Sequence, residues 1–224
     1  MRNTSFVPEN EIVQEKTLCV FLLDNSGSMS GQKIDDLNKG LQEFYQIISC
    51  DGIWAQRIEI AIISFESNVH YIQEPALVDD FTMPSLNAMG GTDMAAGIQK
   101  AIEVVEERKK FYRESGISYK CPWIIMMTDG FANVDSIKDK VNEDGKQKRY
   151  RFQPIAIDEG ADMNVLNSLT TTKSVFMLDD DKRNIISFLR CVSYGMGYYS
   201  TNENADGNSI EELLGNPFDY FITD

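Results

Sequence analysis

The sequence has no long apolar run. Its longest lies within Thr17–Leu23, far short of the ~20 residues that a membrane-spanning helix needs. The first sixteen residues are polar, carry Pro8 and lack the apolar stretch of a secretory signal. Positive charge is scarce. Against 35 Asp and Glu there are 21 Lys and Arg, a net charge of −14. Such a surface repels phosphate backbones and anionic lipid, which argues against nucleic-acid and membrane partners. Histidine occurs once, at His70, and the four cysteines stand singly at 19, 50, 121 and 191. Without a CxxC pair, thiolate metal sites and thioredoxin chemistry have no support. A Walker A pattern and a G-x-S-x-G elbow are missing too, so nucleotide hydrolysis and acyl-enzyme chemistry lack their signatures. Single, reduced thiols and the absent export signal point to the cytoplasm.

What is present is an ordinary globular composition. With 42% hydrophobic and 25% charged residues over 224 positions, the chain can bury a core without disulfides or metal. Continuous apolar runs at Thr17–Leu23 and Trp123–Met127 predict strands buried on both faces, and Arg57–Phe65 reads as the second strand. Further strands are expected at Val69–Gln73, Phe152–Ile157 and Ser174–Leu178, with a bulge at Pro154. Between them, Ile34, Leu37, Leu41, Phe44, Ile47 and Ile48 recur at helical spacing, as do Ala95, Ile98, Ile102 and Val105. Shorter helices are expected near Asp135–Lys140, Met163–Ser168 and Lys182–Val192. The alternation predicts an α/β fold: a Rossmann-like, doubly wound, mostly parallel sheet of six strands, one edge strand antiparallel, with helices on both faces. Domain organisation reads as an arm (1–16), one domain (17–196) and an acidic, aromatic-containing tail (197–224).

Three strand ends deliver oxygen-bearing side chains: Asp24-Asn25-Ser26-Gly27-Ser28, Gly91-Thr92-Asp93 and Thr128-Asp129-Gly130. In a doubly wound sheet these ends share one edge, where ligands bind. Hydroxyls and carboxylates without imidazole or thiolate suit Mg²⁺, with Mn²⁺ or Ca²⁺ as alternatives, and disfavour Zn²⁺. Two carboxylates roughly balance a divalent charge, and neutral hydroxyls leave the ion electron-poor. A coordination position left open would draw an acidic group from a partner.

Asp24-x-Ser26-x-Ser28, then Thr92, then Asp129, resembles the metal-ion-dependent adhesion site (MIDAS) of von Willebrand factor A (VWA) domains. VFLLD, SGSMSG, the GGT before a helix and IIMMTDG fall in family order, and the resemblance covers roughly residues 17–195. SGSMSGQKIDDLNKGLQEF is most similar to stand-alone bacterial members of the tellurite-resistance (TerY-like) group. The resemblance implies direct metal binding by Ser26 and Ser28, and by Thr92 in the high-affinity state, with Asp24 and Asp129 binding directly or through water. It also implies a non-enzymatic protein–protein interaction module. A partner's Asp or Glu would complete the metal, within a bacterial stress-response or defence scaffold that includes phosphatase or kinase-like proteins. The alternative is a metal-dependent phosphoryl hydrolase at the same strand edge. A haloacid-dehalogenase-like mechanism would need an acid two residues after Asp24, where Ser26 stands.

Other signals have simpler readings. His70 is expected on the surface of the edge strand. Asp93 either supports the site or sits in the first turn of a helix. The basic run Lys146–Arg151 reads as a solvated loop, with an acidic partner as the alternative. Asn202-x-Asn204-x-Asp206-Gly207 lacks the bidentate Glu of a calcium loop and reads as a turn.

Overall fold

A computed structural model describes residues 14–171, 175–178 and 184–203. Within them the strands β1 (Thr17–Asp24), β2 (Ile58–Phe65), β3 (Val69–Leu77), β4 (Trp123–Thr128), β5 (Arg151–Ala156) and β6 (Phe176–Met177) form one sheet in the order β3-β2-β1-β4-β5-β6. Every pairing is parallel except that of β2 with β3. This is the expected Rossmann-like α/β sheet with one antiparallel edge strand.

β1 explains why a continuous apolar run was needed. All eight of its residues are buried. Cys19, Phe21 and Leu23 face the layer built with α1 (Gln32–Cys50) and α6 (Ile185–Thr201), where the Phe21 and Phe44 rings meet edge to face at 4.9 Å. Leu18, Val20 and Leu22 face the opposite layer, with α3 (Met94–Glu114), α4 (Asp135–Lys146) and α5 (Met163–Leu169). Burial on both faces removes the polar alternation that a half-exposed strand keeps. β3 shows the contrast: from Val69 to Glu74 its residues alternate between half-buried and exposed, as an edge strand's should.

Several elements differ from expectation. A short helix, α2 (Gly52–Arg57), follows α1 directly. The Asp51 carboxylate starts it by accepting Ile53 N at 2.9 Å and Trp54 N at 3.0 Å. The last helix runs to Thr201 rather than to about Val192, so residues 197–201 belong to α6. Gly197 within it is a contact point, not a break: a Cβ there would overlap the Trp54 ring. Pro154 causes no bulge, and the β4–β5 register runs through it unbroken. Phe152 N bonds to Thr171 Oγ1 and Leu178 N to Ala156 O, so even-numbered residues of β5 present their backbone groups towards β6. Pro154 shares that parity, and its missing N–H takes nothing from the β4 ladder.

The basic run is a solvated turn only in its first half: Lys146, Gln147 and Lys148 are exposed from the end of α4 towards β5, and the rest packs inward. Lys146 ends α4, Tyr150 is fully buried with its hydroxyl on Asp144, and Arg149 pairs with Glu106 at 2.7 Å. Residues 1–13 of the expected arm and 204–224 of the expected tail, including the Asp206-Gly207 turn, lie outside the described residues.

Candidate functional site

β1 is the switch point of the sheet: β2 lies on one side of it and β4 on the other. The crevice outside its carboxyl end is therefore where a ligand site belongs. Asp24 closes β1 and is fully buried. One of its oxygens accepts Ser26 N at 2.8 Å, and the other accepts the hydroxyl of Thr128, the last residue of β4, at 2.5 Å. Thr128 Oγ1 also accepts Gly130 N at 3.1 Å, which turns the chain over the site. Ser26 Oγ and Ser28 Oγ lie 3.0 Å apart, and Ser28 Oγ donates to Asp129 Oδ1 at 2.7 Å. Asp24, Ser26, Ser28 and Asp129 are thus joined by one hydrogen-bonded path across the two strand ends.

Thr92 is brought in by packing. A Cβ on Gly130 would lie 3.3 Å from Asp24 Oδ2 and 3.6 Å from the Thr92 methyl, so these residues surround one small space. The loop carrying Thr92 is tied on two sides. Met89 N bonds to Asn25 O at 2.8 Å, and Gly27 N to Gly90 O at 3.1 Å. From the β2–β3 turn, Ser67 Oγ accepts Gly91 N at 2.7 Å and Glu66 O accepts Asp93 N at 2.6 Å. Gly90 sits at φ +69 against the Glu66 carboxylate, where only glycine fits without strain. Asp93 caps α3, its side chain accepting Ala96 N at 3.1 Å, which is the helix-start role of its two expected readings. His70, on the edge strand as expected, lies 3.0 Å from Glu66 Oε1.

Burial raises the Asp24 carboxyl above its ordinary range. The hydrogen bonds from Ser26 and Thr128 pull it down, and the charge of Asp129 pushes the same way as burial. Among the described residues no three His, Cys, Asp or Glu side chains gather as a metal-holding group. The cluster holds two carboxylates, and hydroxyls make up the rest. That donor set fits a hard divalent cation.

Two further groups reach the cluster. Lys33, at the start of α1, places Nζ 2.5 Å from Asp129 Oδ2 and 2.5 Å from Asp158 Oδ2. Burial works to lower the Lys33 pKa, but the bonds and charges of the two aspartates prevail and hold it above its ordinary value. The sequence reading missed both residues. A signal existed for Asp158: the apolar run of β5 ends in an Asp, as do those of β1 and β4.

The model of the von Willebrand factor type A domain matches residues 19–189. The chain belongs to that family. Solved structures of similar fold include the pilus adhesin SpaC from Lactobacillus rhamnosus GG in its open conformation, at 13% identity over 83% of this chain and 30% of that one, with a TM-score of 0.60. BatB from Bacteroides thetaiotaomicron shares 14% identity over 79% of this chain and 95% of that one, TM-score 0.54. Proximal thread matrix protein 1 from the mussel byssus, with a zinc-occupied MIDAS motif, shares 13% over 81% and 47%, TM-score 0.53. This VWA chain spans about half the length of the mussel protein. At such identities the likeness is one of fold. No match was found among curated protein sequences. No helix among the described residues is long and apolar enough to cross a membrane, and all four cysteines are free.

Proposed function

We propose that this VWA domain is a metal-dependent protein-interaction module and not an enzyme, with Asp24, Ser26, Ser28, Thr92 and Asp129 as the metal ligands. The observation that carries the reading is the unbroken hydrogen-bonded path Asp24–Ser26–Ser28–Asp129, closed over by Gly130 and Thr92. Ser26 and Ser28 offer neutral oxygens, the buried Asp24 offers charge, and Asp129 stays within reach behind Ser28. A bound Mg²⁺ supplies positive charge to a carboxylate from outside, and Mn²⁺ or Ca²⁺ would serve in its place. The partner is a protein presenting an Asp or Glu.

The TerY-like run at Ser26–Phe44 supports a scaffold in a bacterial stress-response or defence complex, beside phosphatase or kinase-like proteins. Four free thiols support a cytoplasmic setting. The phosphoryl-hydrolase reading gains nothing: the residue two positions after Asp24 is Ser26, whose backbone N–H is already committed to that carboxylate.

The test is a pull-down from the native host with and without chelator, repeated with Thr92→Ala. Capture lost in both cases, with the thermal midpoint of the metal-free variant unchanged, is expected. Capture indifferent to both treatments refutes the reading, and phosphatase turnover abolished by Asp24→Asn would replace it.

A further inference from the structure

Both oxygens of Asp129 already have a proton donor, Ser28 on one and the Lys33 ammonium on the other. Asp129 is 1% exposed at its side chain, whereas Lys33 and Asp158 are each 34% exposed. A buried carboxylate is thus neutralised by a tethered cation that reaches in from the surface. The position of that cation has no explanation within its own helix. Lys33 is the second residue of α1, where the helix dipole disfavours positive charge. What holds it there is the pair of carboxylates, one just past the end of β4 and one just past the end of β5.

We propose that Lys33 is a resident counter-cation of the metal site that sets its divalent affinity, with Asp158 as its second anchor. The inference rests on the reading of Asp24, Ser26, Ser28, Thr92 and Asp129 as a metal site. Without a divalent ion, the ammonium satisfies Asp129 and offsets the repulsion between the two clustered carboxylates. With one, the same ammonium is a like charge at the edge of the site and opposes loading. Asp158 lets Lys33 keep an ionic partner when Asp129 turns its charge towards the ion.

The two roles a lysine can have here predict opposite signs. If Lys33 only holds Asp129 in place, removing it loosens a ligand and weakens metal binding. If it competes by charge, removing it strengthens binding. The experiment is calorimetric titration of Mn²⁺ into the chelator-treated full chain, for the wild type, Lys33→Met, Lys33→Gln, Lys33→Arg and Asp158→Asn. Lys33→Met keeps the length of the side chain without its charge and should bind Mn²⁺ on the order of tenfold more tightly, the scale of one nearby charge at a solvent-facing site. Lys33→Gln covers the case in which the Met variant does not fold. Lys33→Arg keeps the charge and should stay within about threefold of the wild type. Asp158→Asn leaves Lys33 wholly on Asp129 and should bind several-fold more weakly.

Neutral Lys33 variants that bind Mn²⁺ no more tightly than the wild type overturn the inference, as does a Lys33→Arg variant that gains as much as Lys33→Met. If the wild type binds and the neutral variants match it, only this inference falls. If none of the proteins binds Mn²⁺, the metal-site reading falls with it.

Discussion

Glu66 directly follows β2 with its side chain 6% exposed, yet it is held ionised. Donors from Asn68 and His70 outweigh the cost of burial and bring its pKa down to about 2 from an ordinary 4.5. The sign follows from the two states. Above pH ~4.5 the carboxylate is ionised whether the chain is folded or not, and its full stabilisation is present. As the pH falls towards 2, the unfolded chain takes up the proton first, and that stabilisation is lost. Glu66→Gln should therefore flatten the acid limb of a plot of urea midpoint against pH between about 4.5 and 2, and leave the shape above pH 5 unchanged. An acid limb identical to the wild type's would mean that the turn does not depend on this carboxylate. Glu66 is also a measure of what was legible. Asp24, Ser26 and Ser28 announce themselves because they stand two apart in one loop after one strand. Glu66 matters through Gly90 and Asp93, and Lys33 through Asp129, 96 residues away. A lone Lys or Glu in an acidic chain has no local pattern that names a partner so distant.

The elements were legible where burial writes a long pattern. β1 and β4 are near-continuous apolar runs because both faces are covered, β2 is broken only by Glu59 and Ser64, and α1 shows its period over nineteen residues. α2 was not legible. Six residues make less than two turns, and the cue was one Asp51 side chain capping two amides. α6 runs past its expected end at about Val192 and through Gly195 and Gly197, a residue type that more often ends a helix. Here Gly197 lets the helix approach Trp54, whose ring also meets Tyr194 edge to face at 6.2 Å. This gives a prediction at the scale of the packed pair. Gly197→Ala should gain up to about 1 kcal/mol of helix propensity. It should lose more to overpacking against Trp54, by about 1–3 kcal/mol. The net expectation is a lower guanidinium midpoint, with a blunted near-ultraviolet tryptophan signal. A higher midpoint with an unchanged signal would show that α2 and α6 are not in this close register.

At the scale of the whole chain, two effects of added salt must be separated. The net charge of −14 makes the folded molecule repel itself, so any electrolyte relieves some repulsion, to an extent set by ionic strength and not by which cation supplies it. An ion bound at one site acts differently, because it stabilises the folded state by mass action and only through that site. At a hundredfold excess over its dissociation constant the gain is about 2.7 kcal/mol. For a chain of this size that raises the unfolding temperature by roughly 5–11 °C. Titrating MgCl₂ should therefore show a saturable rise superimposed on the shallow slope that NaCl gives at matched ionic strength. Asp24→Asn removes the charge at the buried end of the hydrogen-bonded path. It should abolish the saturable rise and keep the shallow slope. A saturable rise that survives Asp24→Asn would put the ion elsewhere on this acidic surface, and a wild type that follows NaCl throughout would leave the strand-end oxygens without the cation that their arrangement suits.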